Sequence, residues 1–196
     1  MSANPPSPIE GIERVLFDAP TIAARLDEMA AEITARYRGQ PLTVVAILNG
    51  SLPFAADLLR RIPLTLRLEC LSVGSYHGGM ESSGCVSFLQ SGLPEVAGRH
   101  LLILDDILDT GRTLRAVRER FLAEAHPLSI RVAVLLRKRK ARDGALEADY
   151  AGFDIDDAFV VGYGLDYQGH YRNLPVVGVL AVSYTIRENK SVECTT

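Results

Sequence analysis

The chain has 196 residues, which suits one α/β domain with a sizeable core or two small domains. Hydrophobic residues make up 47% and charged residues 23%, which excludes a disordered chain, while 16 Gly and 10 Pro exclude a collagen-like or low-complexity one. Lys and Arg number 21 against 24 Asp and Glu, and this net charge of −3 argues against a protein living mainly on nucleic-acid phosphates.

Residues 1–10 are rich in Pro and read as a mobile tail ahead of one domain, 11–196. From Thr21, the apolar residues Ile22, Leu26, Met29, Ala30, Ile33 and Tyr37 recur at helical spacing. Thr21 or Asp18 is placed to cap this helix, and Gly39 with Pro41 stops it. Leu42 to Leu48 is short, continuous and β-branched, which predicts a buried strand. Asn49, Gly50 and Ser51 form a turn, and Leu52 to Ile62 reads as a helix with Pro53 in its first turn. Leu64, Leu66, Leu68 and Cys70 alternate with polar neighbours, predicting a strand with one solvated face. A Gly- and Ser-rich stretch, 74–84, is bounded by a short strand from Cys85 to Leu89. Leu101 to Leu104 reads as a strand, followed by a helix from about Thr113 to Ala125. Ser129 to Leu136, Phe159 to Tyr163 and Val176 to Leu180 supply three more strands. Strands alternating with helices predict an α/β fold, a mainly parallel sheet covered on both faces. Ligands of such sheets sit at the carboxyl ends of the strands.

Cys70, Cys85 and Cys194 share no metal-ligand spacing with the scattered histidines, so no zinc site is expected. They read as reduced thiols in a cytoplasmic protein. The N-terminus has neither the basic nor the apolar region of a signal peptide. The longest apolar runs fall far short of the roughly 20 residues that span a membrane, and no membrane partner is expected.

The richest segment runs from Leu101 to Leu114. An apolar strand ends in Asp105 and Asp106, and a short loop leads to a helix whose first turn holds Thr110, Gly111 and Thr113. Free N–H groups at a helix N-terminus, with two hydroxyls beside them, suit a phosphate group. Next to that phosphate, Asp105 and Asp106 could accept hydrogen bonds from sugar hydroxyls or hold Mg²⁺, a hard cation suited to carboxylate oxygens. Asp109 lies at the loop tip, where it could move a proton. A lone Asp-Thr-Gly is usually a capped turn, but the whole string is far rarer.

This string resembles the phosphoribosyl pyrophosphate signature of the type I phosphoribosyltransferases. Other segments extend the likeness, in the family's order over residues 14–184, toward its hypoxanthine-guanine branch. They are Leu48 to Ser51 with Phe54 to Leu58, Ser75 and Tyr76 with Ser82 to Gly84, Leu135 to Lys138, and Phe159 to Tyr167 with Tyr171 and Arg172. The resemblance implies a parallel sheet flanked by helices, with a small hood formed by the chain ends. It also implies purine salvage. The 5-phosphoribosyl group would pass from phosphoribosyl pyrophosphate to N9 of hypoxanthine or guanine, with Mg²⁺ as cofactor.

Residue roles follow from the same resemblance. Thr110, Gly111, Arg112 and Thr113 would cradle the 5′-phosphate, Asp105 and Asp106 would bind the ribose hydroxyls, and Asp109 would face purine N7 as general acid/base. Lys138 would donate to the 6-oxo group, which disfavours adenine because an ammonium only donates. Phe159 would stack on the base and the Val160 carbonyl would accept from its edge. Asp166 would belong to the purine site and help bind a second Mg²⁺ on the pyrophosphate, joining Asp105 and Asp106 as metal ligands. Asn49, Gly50 and Arg172 would meet the pyrophosphate, and Ser75 and Tyr76 would close over the site. The sequence departs from the family in two places: Asp105 stands where Glu is commoner, and Asn49 where Lys is frequent after a non-proline cis peptide. A homodimer or homotetramer is implied.

Blander readings stand beside these. Phe159 could be a core aromatic, Arg172 a surface ion-pair partner, and most of the run Arg137 to Arg142 a solvated basic loop without the interleaved aromatics of a nucleic-acid patch. Two other functions stay open at this stage: a phosphoribosyltransferase-like nucleotide-binding regulator of RNA or DNA, and a transferase using xanthine or a pyrimidine.

Overall fold

The structure is a computed structural model that describes residues 9–75, 86–89, 92–140 and 146–181. Its elements in chain order are β1 (Ile12–Phe17), α1 (Ala19–Tyr37), β2 (Leu42–Leu48), α2 (Leu52–Leu59), β3 (Leu66–Ser75) and β4 (Val86–Phe88). They continue with β5 (His100–Leu108), α3 (Arg112–Glu124), β6 (Ser129–Lys138), β7 (Tyr150–Ile155), β8 (Val160–Val161) and β9 (Val177–Leu180). The large sheet has the order β4-β3-β2-β5-β6-β7, and every pairing in it is parallel except β3 with β4. A small antiparallel sheet, β1-β9-β8, stands apart from it.

The apolar runs of the central strands bury both faces, which is why they read as continuous rather than alternating. In β2, Leu42, Val44 and Ala46 enter one core cluster with the apolar stripe of α1 and with Phe54 and Leu58 of α2. Val45 and Ile47 enter the opposite cluster with Leu114, Val117 and Phe121 of α3. Asp18 caps α1, its side chain accepting from the Thr21 N–H at 2.9 Å. No helix among the described residues is long and apolar enough to cross a membrane.

Several expectations need correction. β1 and β7 were not anticipated. β7 is an edge strand containing Gly152, whose added Cβ would lie 2.5 Å from the Leu135 carbonyl oxygen, so close strand approach there requires glycine. Its outer face is covered by Arg25, which donates to the Ala151 and Gly152 carbonyls at 2.9 Å each. Helix α2 ends at Leu59 rather than Ile62. The alternation in β3 is imperfect: Leu66 and Cys70 pack against the first core cluster, whereas Leu68 is 52% exposed. The expected strand from Phe159 to Tyr163 shrinks to β8, because Gly162, Tyr163 and Gly164 all have positive φ and turn the chain at once. Residues 1–8 of the expected tail lie outside the described residues.

Candidate active site

β5 does not stop at Leu104. It pairs with β6 through Asp105 opposite Val134 and again through Ile107 opposite Leu136 and Leu108 opposite Arg137, so the acidic pair lies inside the strand. The loop is therefore only Asp109, Thr110 and Gly111, and α3 starts at Arg112 rather than Thr113. Thr110 and Gly111 precede the helix instead of sitting in its first turn. Gly111 occupies the N-cap at φ +76°, a conformation suited to glycine, and supplies no capping side chain. The first N–H groups of a helix have no carbonyl within it, and here the turn faces a cavity of about 300 Å³. Thr110, Gly111, Arg112 and Thr113 line it together with Asn49, Gly50, Asp105, Asp106, Asp166 and Arg172.

Asp105 is buried, and burial pushes its carboxyl well above the usual range, with the Asp106 charge adding to the shift. Burial also raises Asp106, while the Ile107 N–H and the Arg172 guanidinium act in the opposite direction. Gly50 packs directly on this pair: a Cβ there would lie 1.7 Å from Asp106 Oδ2. Two adjacent oxygen donors short of compensating positive charge suit ribose hydroxyls or a hard divalent cation. Among the described residues no group of three or more His, Cys, Asp and Glu forms a metal cage. The Leu48–Asn49 peptide is cis, as the resemblance implies.

A second cavity of about 240 Å³ abuts the first, and the two share Asp106, Ile107, Asp109 and Asp166 as walls. Lys138, Ala158, Phe159, Val160 and Leu165 complete it. Phe159 is 52% exposed and meets the Tyr167 ring edge-on at 5.7 Å, so it is not a core aromatic. Lys138 is the last residue of β6 and is buried. Its Nζ lies 3.2 Å from Asp109 Oδ2 and 2.8 Å from Asp157 Oδ1. Lys140 pairs with the other oxygen of Asp109 and stands 3.6 Å from Asp157 Oδ1. Lys140, expected in a solvated basic loop, and Asp157, for which the sequence carries no separate signal, therefore join the site.

The loop after β8 holds the remaining residues. Arg172 bonds Asp166 at 2.7 Å and donates to the Gly164 carbonyl at 2.6 Å, and Asp166 accepts from the Gly169 N–H at 2.8 Å. Arg172 thus makes an ion pair at the cavity wall rather than out on the surface. Gly164, at φ +102°, places its backbone against the Asn49–Ser51 turn, where an added Cβ would lie 1.9 Å from the Gly50 carbonyl oxygen. Gly164→Ala is expected to cost about 2 to 4 kcal/mol of folding stability, from backbone strain and overpacking together. Urea denaturation measures this, and a loss under about 0.5 kcal/mol would contradict such a close approach. Ser75 ends β3 opposite Val86. Tyr76 and the rest of the expected closing loop, through residue 85, lie outside the described residues.

Residues 15–168 match the phosphoribosyl transferase domain family. The chain is 42% identical over 169 residues to a hypoxanthine-guanine phosphoribosyltransferase of Streptococcus pneumoniae, covering 86% of this chain and 93% of that one. A protein of the same name from Staphylococcus epidermidis is 43% identical over 169 residues, with coverage of 86% and 94%. The solved structure of a hypoxanthine phosphoribosyltransferase from Staphylococcus aureus matches with a TM-score of 0.83 at 39% identity, covering 89% of this chain and 94% of that one. The chain therefore belongs to the phosphoribosyltransferase family, within its hypoxanthine-guanine branch.

Proposed function

We propose that the chain transfers the phosphoribosyl group of phosphoribosyl pyrophosphate to N9 of a 6-oxopurine, hypoxanthine or guanine. The observation that carries this reading is the shared wall. A phosphate-type cavity and a cavity with an exposed aromatic ring meet at Asp106, Ile107, Asp109 and Asp166, so the halves of one nucleotide can lie across the boundary.

In this reading the 5′-phosphate takes the N–H groups of the turn at residues 110–113, and the ribose hydroxyls donate to Asp105 and Asp106. The base stacks on Phe159, the Val160 carbonyl accepts from its edge, and Lys138 donates to its O6. As the N9 lone pair forms the bond to ribose C1, the bond from C1 to the pyrophosphate oxygen breaks, and pyrophosphate leaves with the electron pair. The N7 proton passes to the Asp109 carboxylate, so charge balances on the base. Asn49, Gly50 and Arg172 orient the leaving pyrophosphate. Asp105, Asp106 and Asp166 would hold magnesium, which when bound would supply positive charge for the leaving group. Much of the acceleration in such a site comes from positioning and from charge placed where it develops. Ser75 and Tyr76 belong to the reading as the closing contacts, which exclude water from a cation-like ribose.

The reading includes one domain over residues 11–196, a cytoplasmic location and a homodimer or homotetramer, the last checked by sedimentation. Pyrophosphate release from phosphoribosyl pyrophosphate and Mg²⁺, with hypoxanthine, guanine, xanthine and adenine in separate reactions, tests the function. Turnover with hypoxanthine or guanine and little with adenine is expected. Turnover with adenine alone, or with none of the four, would overturn the proposal.

A further inference from the structure

Asp109, Lys138, Lys140 and Asp157 form a balanced cluster of two negative and two positive charges, in which Lys138 and Lys140 each reach both carboxylates. The two lysines are not equivalent. Lys138 lines the base cavity and takes Asp109 by Oδ2. Lys140 lines neither that cavity nor the phosphate cavity, and it pairs with Asp109 through Oδ1.

A 6-oxopurine entering the cavity needs a donor from Lys138, and that donor is drawn from the ion pairs with Asp109 and Asp157. When the base draws Lys138 away, the Asp109 carboxylate loses that ion pair, and the pair between Lys140 and Oδ1 remains.

We infer that Lys140 is a positioning residue for Asp109, holding Oδ1 while Lys138 turns to the base and leaving Oδ2 aimed at the ring nitrogen. This rests on the function proposed above and deepens it. The grip comes from a short stem. Lys140 follows the end of β6 by two residues, and its backbone N–H donates to the Lys138 carbonyl at 3.1 Å, so both ammonium groups leave one tight turn. Asp109 in turn holds the Lys140 ammonium above the usual lysine range, chiefly through their hydrogen bond. The charge is therefore retained across the neutral range. Asp157 is drawn below the usual carboxylate range, chiefly by Lys138, and stays ionised with it.

The test compares Lys140→Met and Lys140→Arg with the wild type in steady-state turnover, with hypoxanthine and phosphoribosyl pyrophosphate varied in turn. Because misplacement of a catalytic group by about 1 Å can cost about 10²-fold, Lys140→Met is expected to lower kcat by roughly 10- to 100-fold. KM for phosphoribosyl pyrophosphate should stay within about twofold, since its subsite does not include Lys140, and KM for hypoxanthine should rise. Lys140→Arg should recover most of the loss. Thermal unfolding checks the fold, because a pair this exposed contributes little to stability.

A Lys140→Met enzyme with wild-type kcat would overturn the inference. So would a loss that Lys140→Arg shares in full, or one in which the two KM values rise together. A wild-type protein without turnover would sink the proposed function first, and this inference with it. An active wild type with indifferent variants would sink the inference alone.

Discussion

Asp109→Asn is expected to lower kcat by roughly 10² to 10⁴, the usual contribution of a positioned acid or base. The substitution keeps the size of the side chain and removes its ability to take a proton at neutral pH. Asp109 stands on the wall common to both cavities, the place where the base and ribose C1 must meet. Its neighbours make the change more than a lost proton acceptor. Lys138 and Lys140 both pair with the carboxylate, and an amide would remove one of the negative charges that balance them. Binding of the 5′-phosphate should change little, because that group belongs to the turn before and at the start of α3. Rapid-quench turnover alongside equilibrium binding of phosphoribosyl pyrophosphate separates the two quantities. Near-normal turnover in Asp109→Asn would remove the residue from its assigned role.

The second large effect concerns choice of base. Lys138→Met should lower kcat/KM for hypoxanthine by about 10- to 100-fold, the worth of one hydrogen bond to a charged donor at roughly 1.5–3 kcal/mol. Adenine should lose far less, since the ammonium offers its 6-amino group no acceptor. The ratio of hypoxanthine to adenine turnover is therefore the informative quantity, and it should narrow. Methionine suits the test because it keeps the long stem that fills the buried end of β6 and deletes only the charge. If the ratio stayed at its wild-type value, Lys138 would not be the reader of the 6-oxo group.

The sequence was most legible where local pattern and tertiary packing agree. The stripe from Ile22 to Tyr37 is one helix face, and Leu42 to Leu48 is a central strand with the bounds that composition implies. Legibility failed at edges and turns. The small sheet takes β1, β8 and β9 from distant parts of the chain, and their pairing is long-range, so none announces its partner. Val160 and Val161 look like the start of a longer strand, but the left-handed residues at 162–164 end β8 there.

The site divides in the same way. The phosphate turn is contiguous, so Asp105 through Thr113 could be read directly, although the strand runs further into the motif than its apolar residues suggest. The base cavity is assembled by register instead. Leu108 lies opposite Arg137, which brings Asp109 beside Lys138, and Lys138 lies opposite Ile155, which brings Asp157 within reach two residues later. Lys140 and Asp157 belong to the site only through those two pairings. Spacing along a single chain does not encode them.

The claim on which the account depends is that the two adjoining cavities hold the two halves of one nucleotide. A crystal structure of the protein with inosine 5′-monophosphate tests it directly. The phosphate is expected on the turn at residues 110–113, the ribose hydroxyls on Asp105 and Asp106, O6 within hydrogen-bonding distance of Lys138, and N7 facing Asp109. A nucleotide whose base lies away from Phe159 and Lys138, or whose phosphate avoids the start of α3, would contradict it.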